Sequence, residues 1–153
     1  MLDRVKLEQV VREHIRTEGV QDLEGLRNTL HENVEYGIKA PAYPDDPTPY
    51  GSFRGAETYL DMWRNLHKIF SSYEIELQKV HIPEGTNEAW LTIQATAVPR
   101  EDYHGLPKNK PMCWWAAAIC EFDDDFRMTR ETVYGSFPPT VAGWLRMKAF
   151  TGR

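Results

Sequence analysis

Apolar side chains recur at helical spacing in three segments of the chain. In residues 2–17 the apolar positions fall on one face of a helix, and Gly19 follows as a stop signal. Asp22 is suited to cap a short second helix that carries three leucines. Residues 54–70 repeat the pattern with a more aromatic stripe, formed by Tyr59, Met62, Trp63, Leu66 and Phe70. The spacing therefore predicts three helices, all in the N-terminal half of the chain.

Five other segments alternate apolar and polar residues with the period of a β-strand. They cover residues 31–38, 73–82, 88–98, 112–122 and 128–137. The segment 41–51 is rich in proline and is interpreted as a surface loop, and residues 141–150 as a short closing helix. Helices followed by a strand, a helix and four strands predict an α+β fold. In such a fold a curved antiparallel sheet carries the helices on one side and leaves room for a pocket.

The composition narrows the class of protein. The 153 residues fit one domain, and the net charge of −5 with scattered basic residues argues against a nucleic-acid surface. The longest apolar run, residues 114–120, is too short to cross a bilayer, and the charged N-terminus does not resemble a signal peptide. Cys113 and Cys120 lie in one predicted strand, too far apart to bond to each other. These features together predict a cytoplasmic protein with two reduced thiols.

Several short motifs carry a resemblance to a known family. They are Val-Val-Arg-Glu-His at residues 10–14, the glycine- and leucine-containing segment 19–26, Phe-Arg-Gly at 53–55, Gly-Leu-Pro at 105–107, and the last strand at 128–135. Their order resembles SnoaL-like polyketide cyclases and, more distantly, the ketosteroid isomerases of the nuclear transport factor 2-like superfamily. The resemblance implies a cone-shaped α+β fold. Its three helices and curved mixed or antiparallel sheet would enclose one mostly apolar pocket for a small organic ligand.

The catalytic positions of these families carry different side chains here. The oxyanion-donating tyrosine of the ketosteroid isomerases corresponds to His14, and their carboxylate base to Ile38. The cyclase aspartate at the end of the last strand corresponds to Ser136. The paired arginine and aspartate of the related limonene epoxide hydrolases correspond to Thr92 and Gln94. The resemblance therefore supports the fold and leaves the chemistry open.

Two histidines are candidates for the pocket. His14 lies on the apolar stripe of the first helix, where it is either a hydrogen-bonded core residue or a proton-transfer group. His67 lies beside Trp63 and Phe70 at the edge of the stripe of the third helix, and a structural role is the favoured interpretation. No two histidines have the spacing of metal ligands, so neither a metal nor an organic cofactor is expected.

Two predicted strands each have one polar face. Trp90, Thr92 and Gln94 share a face of the strand at 88–98. The residues alone would turn this face to water, whereas the resemblance places it inside the pocket, and we adopt the second interpretation. Arg130 and Tyr134 share a face of the last strand. That face is either solvated or holds polar anchors for a carbonyl or carboxylate.

The residues and the resemblance support two hypotheses for function. The first is a cofactor-free enzyme that cyclises, isomerises or dehydrates a hydrophobic, oxygenated molecule of polyketide, terpenoid or steroid type by acid–base catalysis. His14 would transfer the proton while Arg130 and Tyr134 polarise the substrate. The substrate-binding walls would be formed by Tyr36, Trp63, His67, Trp90, Thr92, Gln94 and Trp114. The second hypothesis is a non-catalytic module of the same fold that only binds a small molecule or supports dimerisation.

A homodimer is expected through the outer face of the sheet. If the polar faces line the pocket, an apolar patch remains outside, made by Leu91, Ile93, Trp115, Ala117 and Ile119. Monomers rarely expose a patch of this kind, and a two-fold pairing of the same face would cover it.

Overall fold

The computed structural model describes residues 2–39, 52–102 and 107–135 of the chain. Within these residues it contains three helices: α1 (Arg4–Gly19), α2 (Leu23–Thr29) and α3 (Ala56–Ile69). Six strands accompany them: β1 (Leu30–Lys39), β2 (Ser52–Arg54), β3 (Phe70–His81), β4 (Glu88–Pro99), β5 (Met112–Phe122) and β6 (Met128–Gly135). The predicted loop at 41–51, the closing helix at 141–150 and the end of the last strand at 136–137 lie outside the described residues. The predicted α+β class is confirmed.

The six strands form one mixed sheet in the order β2-β1-β6-β5-β4-β3. The strands β3 to β6 are consecutive antiparallel neighbours, as predicted for a meander. β6 then lies parallel to β1, with Glu131 opposite Tyr36. This parallel contact brings the C-terminal hairpin beside the N-terminal strand. Residues of α1 and β6 therefore approach each other although they are far apart in the sequence.

A tight glycine contact sets the angle between α1 and α2. Asp22 caps α2 by accepting a hydrogen bond from the backbone nitrogen of Gly25 at 2.8 Å. A Cβ atom at Gly25 would lie 2.8 Å from Cγ2 of Thr17, a residue of α1, so only glycine fits there without rearrangement. The close approach folds α2 back against α1 and places Thr29 beside His14.

The start of α3 was predicted too early. Ser52–Arg54 forms the short strand β2 at the edge of the sheet, antiparallel to β1. α3 begins only after Gly55, whose φ of 103° lies in the region that favours glycine. The prediction assigned residue 54 to the helix because a three-residue edge strand has too few positions to show an alternation.

The core lies between the helices and the inner face of the sheet. α3 contributes a fully buried side that includes Tyr59, Leu60 and Leu66. The sheet contributes every second residue of its central strands, namely Ala89, Leu91, Ala95 and Ala97 of β4 and Trp114, Ala116, Ala118 and Cys120 of β5. None of the described helices is both long and apolar enough to cross a membrane.

β4 turns its polar face to solvent and its apolar face to the helices. This orientation is the opposite of the one that the resemblance implied. Leu91 is 2% exposed, whereas its neighbour Trp90 is 47% exposed. Thr92 is exposed and Gln94 half-buried on the same outer face as Trp90, and Ile93 shares the inner face with Leu91. Burial of the apolar face of β4 removes more nonpolar surface from water than burial of its polar face would. The residues alone therefore predicted the orientation of β4 correctly.

Candidate acid–base site

Four buried polar side chains meet between α1, α3 and β6. They are His14 and Glu18 of α1, Tyr59 of α3 and Glu131 of β6, and each is at most 4% exposed. We refer to these four residues as the buried cluster. Ionisable side chains are seldom buried without partners, because the loss of hydration is costly. The cluster therefore depends on hydrogen bonds among its own members and their immediate neighbours.

Thr29 fixes the protonated nitrogen of His14. The Thr29 hydroxyl donates a hydrogen bond to the carbonyl oxygen of Leu26 at 2.7 Å, and it lies 2.7 Å from Nδ1 of His14. Because its single proton is already used, the hydroxyl accepts from His14, so Nδ1 carries a proton. The other ring nitrogen, Nε2, faces Oε1 of Glu18 and the Tyr59 hydroxyl, each at 3.2 Å. A second proton on the imidazole would thus be stabilised by a carboxylate.

The Tyr59 hydroxyl lies between two carboxyl groups. It is 2.6 Å from Oε1 of Glu18 and 2.5 Å from Oε2 of Glu131. A phenol has one proton and can donate to only one of these oxygens at a time. The second contact is a hydrogen bond only if the other carboxyl group carries its own proton. The geometry therefore requires a proton on one of the two glutamates in addition to the phenolic proton.

Electrostatics assign this extra proton to Glu131. Burial, together with the charge of Glu18, raises the pKa of Glu131 to about 7. Burial opposes a charge on His14, but Glu18 and Glu131 outweigh this effect, so the pKa of His14 is raised. In the resulting arrangement Glu131 donates to Tyr59, Tyr59 donates to Glu18, and the His14 imidazolium also donates to Glu18. A carboxyl group that titrates near neutral pH is suited to both giving and taking a proton.

Each member of the buried cluster is placed by the local geometry of its own element. His14 and Glu18 are one helical turn apart and therefore share a face of α1. Tyr59 lies on the buried side of α3, and the Tyr36 ring packs edge-on against it, with the ring centroids 5.2 Å apart and the planes at 89°. Glu131 points to the inner side of β6, opposite Tyr36 of β1. Burial also raises the pKa of both tyrosines, so they stay protonated.

A second group, which we term the aromatic wall, consists of the buried Trp63 and Trp114 and the half-buried His67 and Tyr73. The Tyr73 ring lies at its centre, with its centroid 5.4 Å from that of Trp63, 6.2 Å from His67 and 5.8 Å from Trp114. Three predicted wall residues therefore lie together on the helix side of the sheet, and Tyr36 lies on the same side against Tyr59. Their part in ligand binding stays a prediction.

The remaining predicted site residues lie on the opposite face of the sheet from His14; they are Arg130, Tyr134, Trp90, Thr92 and Gln94. Arg130 is ion-paired with Glu35 at 2.9 Å and with Glu121 at 3.0 Å in a half-exposed position. The prediction that these residues share a pocket with His14 is wrong. β4 buries its more apolar side and so turns Thr92 and Gln94 outward, while β6 buries Met128 and Val133 together with Glu131 and so turns Arg130 outward.

The sequence interpretation missed three members of the buried cluster. Glu18 follows His14 by four residues, which is a detectable signal for a shared helix face, but a glutamate near a helix end is usually solvated. Tyr59 was assigned to the apolar stripe of α3. Glu131 alternates with Arg130, so the choice of Arg130 as an inward residue excluded it. An irregularity in β6 separates the pairings of Arg130 and Met128 and helps to set which side faces inward.

A cavity of about 580 Å³ lies over β1, β2 and β6. Its lining residues are Glu35, Tyr36, Gly37, Ser52, Phe53, Arg54, Arg130, Glu131 and Thr132. The side chains of Arg54 and Arg130 both pair with Glu35 there, on the outer face of the sheet. Gly37 leaves part of the floor open, since a Cβ atom at this position would meet nothing within 4 Å. Arg130 therefore borders a cavity that Glu131 of the buried cluster also lines, whereas His14 is not among the lining residues.

The buried cluster also contains the ligand types that a metal ion would need. One nitrogen of His14 and one oxygen each of Glu18 and Glu131 lie within 4.8 Å of one another. However, the Tyr59 hydroxyl lies between the two carboxyl groups at hydrogen-bonding distance. A shared cation would have to displace it or bind it as phenolate, and burial raises the pKa of Tyr59 well above its usual value. The arrangement therefore fits shared protons better than a metal ion.

No family model matches the sequence, and no curated protein matches it. Solved structures do match. IdmH from Streptomyces antibioticus, a proposed polyketide cyclase, is 14% identical over 90% of this chain and 97% of its own, with a TM-score of 0.72. An LEH-like epoxide hydrolase of M. tuberculosis is 13% identical over 93% of this chain and 91% of its own, with a TM-score of 0.65. An NTF2-like protein of unknown function from Cytophaga hutchinsonii is 15% identical over 89% of this chain and 95% of its own, with a TM-score of 0.58.

These likenesses show that the chain has the cone-shaped α+β fold of the nuclear transport factor 2-like type. The fold predicted from the resemblance is thus confirmed. Sequence identities this low support a conclusion about the fold alone, because the same fold supports many unrelated activities. The chemistry has to be argued from the side chains.

Proposed function

We propose that the chain is an enzyme that acts on a small, hydrophobic, oxygenated molecule by acid–base catalysis and needs no cofactor. The proposal rests on one observation: the Tyr59 hydroxyl bonds to the carboxyl groups of both Glu18 and Glu131 inside the core. Two carboxyl groups in one buried site acquire different pKa values, so that one stays ionised while the other holds a proton. Apolar side chains would serve packing alone equally well or better.

Glu131 is the proposed proton-transfer residue. In its protonated form it donates to an oxygen of the substrate, and in its ionised form it removes a proton from a carbon beside a carbonyl group. The Tyr59 hydroxyl stabilises the glutamate charge in the second state. Glu18 and His14 act through Tyr59 and are positioning residues, since they orient the phenol and set the charge around it. Cyclisation, isomerisation and dehydration all need a proton transfer of this kind.

The names of the structural neighbours favour the same class of substrate. IdmH is a proposed polyketide cyclase, and the M. tuberculosis protein is an LEH-like epoxide hydrolase. Such names describe reactions on small, largely apolar organic molecules that carry oxygen. A polyketide, terpenoid or steroid skeleton is therefore the substrate type we propose for this chain.

A non-catalytic ligand-binding role is the second candidate. It is favoured by the aromatic wall, which can stack against a flat ligand without any proton transfer. In that case the hydrogen bonds of the buried cluster would serve only to select one packing of the core. Replacement of Glu131 with glutamine distinguishes the two candidates, because this change retains size and hydrogen bonding but removes the titrating proton.

The test follows deuterium uptake by 2-tetralone in D₂O with NMR, at the carbons beside its carbonyl group. We expect the protein to accelerate this exchange. Glu131→Gln and Tyr59→Phe should each lose on the order of 100-fold of the acceleration, the usual scale for loss of a general acid or base. Glu121→Gln makes the same chemical change on the outer face. This variant should accelerate deuterium uptake by 2-tetralone as much as the unmodified protein does.

Two other outcomes would count against the proposal. If 2-tetralone binds saturably but exchanges no faster than in buffer, the protein holds ligands without proton transfer. Acceleration that survives in Glu131→Gln would remove Glu131 from the reaction.

We further propose a homodimer that forms through the outer face of the sheet, and a cytoplasmic location. Trp90, Trp115 and Tyr134 are 47%, 51% and 40% exposed on this face, and they support a contact surface. The predicted patch is corrected in one respect, since Leu91 and Ile93 lie on the inner face instead. Cys113 and Cys120 are both free thiols, which is compatible with a reducing compartment.

A further inference from the structure

Three nitrogen atoms of the aromatic wall are buried without hydrogen-bond partners among the described residues. They are Nε1 of Trp63 and both ring nitrogens of His67. Trp63 is 5% exposed, so its indole N–H has almost no access to water. Buried polar groups are nearly always paired in folded proteins, and a group left unpaired indicates a missing partner. Two neighbouring side chains with this defect, 5.7 Å apart between ring centroids, indicate one shared partner.

We propose that Trp63 and His67 form a subsite that binds an uncharged oxygen of an aromatic or polycyclic ligand. The indole nitrogen can only donate a hydrogen bond, so the ligand atom facing it must accept. A neutral imidazole offers one donor and one acceptor. A carbonyl oxygen can accept from both side chains, and a hydroxyl group can accept from Trp63 while it donates to His67.

The surroundings exclude a charged ligand group at this point. Burial, partly opposed by Glu18, lowers the pKa of His67, so the imidazole stays neutral near pH 7. The basic residues of α3 that follow Trp63 and His67, Arg64 and Lys68, are both exposed to solvent. The described residues supply no buried arginine or lysine here, so a carboxylate or phosphate would lose its hydration without gaining a compensating charge from them. The rings of Tyr73 and Trp114 instead provide flat apolar contacts for a planar skeleton.

The position of the subsite defines the substrate class of the proposed enzyme more closely, and this step rests on the proposed function. Trp63 follows Tyr59 by one turn of α3, a rise of about 6 Å along the helix axis. A ligand held at Trp63 would extend toward Tyr59 and Glu131. The favoured substrate is therefore a flat, uncharged molecule with one oxygen bound by Trp63 and His67, and with a second oxygenated or acidic carbon near Glu131.

The experiment compares two probes that differ in one oxygen, 2-acetylnaphthalene and 2-ethylnaphthalene. Each is titrated into ¹⁵N-labelled protein, and the five tryptophan indole signals are followed. We expect the ketone to bind about tenfold more tightly than the hydrocarbon, the scale of one buried hydrogen bond. The indole proton of Trp63 should shift downfield with the ketone alone. Trp63→Phe assigns this signal and should bring the affinity ratio close to one.

Matched variants separate the subsite from other effects. His67→Phe keeps an aromatic ring and should also reduce the preference for the ketone, whereas Trp115→Phe on the outer face should retain it. The titration is repeated in Glu131→Gln, where the preference should persist, so that failure of proton transfer and failure of the subsite are distinguished. Equal affinities for the two probes, no binding of either, or an unchanged Trp63 signal with the ketone would each overturn the proposal.

Discussion

The hydroxyl oxygen of Tyr59 lies 2.5 Å from Oε2 of Glu131, although the two residues are separated by 72 positions in the sequence. A distance of this size is that of a short O–H···O hydrogen bond. α3 supplies the phenol and β6 the carboxyl group, and the parallel pairing of β6 with β1 brings them together. The contact links the topology of the sheet directly to the protonation of the core.

The first prediction is that stability falls as pH rises through neutrality. The pKa of Glu131 is raised from 4.5 to about 7, so the folded state retains a proton that the unfolded state has lost between these values. The stabilisation from this proton is complete below about pH 4.5 and is lost as the pH rises through about 7, a loss of roughly 3 kcal/mol. His14 acts in the same direction, because its raised pKa stabilises the fold only while it is protonated. Urea denaturation at several pH values measures the slope.

Glu131→Gln should abolish most of this slope and make the protein more stable above pH 7. Glutamine fills the same space and can donate to Tyr59 without ionising. Glu121→Gln is the control, because Glu121 pairs with Arg130 on the outer face and should leave the slope unchanged. A Glu131→Gln protein that loses stability at pH 8 would mean that the carboxylate is the favoured form in the core, contrary to the raised pKa.

The second prediction concerns His14 as a positioning residue. Its positive charge lowers the pKa of Glu131, so His14→Asn should raise that pKa further. The pH at which deuterium exchange reaches half its maximum should then move upward, because the ionised form of Glu131 is the base. His14→Ala should also lower the rate at pH 7, because a smaller fraction of Glu131 is then ionised. The pH–rate profile is the measurement, and the exposed His81→Asn should leave it unchanged; a lower rate with an unmoved profile would indicate a structural role only.

The fold was predictable from the sequence because its elements are long and periodic. α3 and the strands β3 to β6 each have enough residues for the period of 3.6 or 2 to be visible. The orientation of β4 could also be inferred from the residues, since one face carries only alanine, leucine and isoleucine, whereas the other carries Trp90 with threonine and glutamine. The error came from the resemblance, which assigned the polar face to the pocket.

The buried cluster was only half predictable. His14 is a polar residue on an apolar stripe, which is a signal that the sequence contains. Glu131 becomes visible only once the parallel pairing of β6 with β1 is known, because strand alternation alone allows either Arg130 or Glu131 to face inward. Which face of a strand points inward is determined by tertiary packing, that is, by the total area that is buried against the helices.

The third prediction is that the purified protein contains no stoichiometric metal. His14, Glu18 and Glu131 could serve as ligands, but the Tyr59 proton lies between the two carboxyl groups. Elemental analysis after purification without chelators is the direct measurement. Addition of Zn²⁺ or Mn²⁺ should leave the thermal midpoint of unfolding within error, whereas a metal site would raise it. Retention of zinc that is lost in Glu131→Gln would replace the proton-sharing interpretation with a metal centre.

The last prediction is that the outer sheet face mediates a homodimer. Trp115 is 51% exposed on β5, and Tyr134 of β6 and Trp90 of β4 lie on the same face. The register places Ala117 opposite Tyr134 and Ile119 opposite Trp90, so the exposed aromatic rings of β4 and β6 adjoin apolar side chains of β5. Such a surface can pair with a copy of itself about a two-fold axis.

Sedimentation velocity at micromolar concentration should therefore give twice the monomer mass of 17.8 kDa. Trp115→Asp should shift the protein to monomers or make it insoluble, because an aspartate at the centre of a two-fold contact would face its own copy. Val20→Asp is the matched control: Val20 is 60% exposed at the C-terminal end of α1, outside the outer face of the sheet, and the variant should remain dimeric. A monomer for the unmodified protein would contradict the prediction directly. A Trp115→Asp protein that stays dimeric would move the interface to another surface.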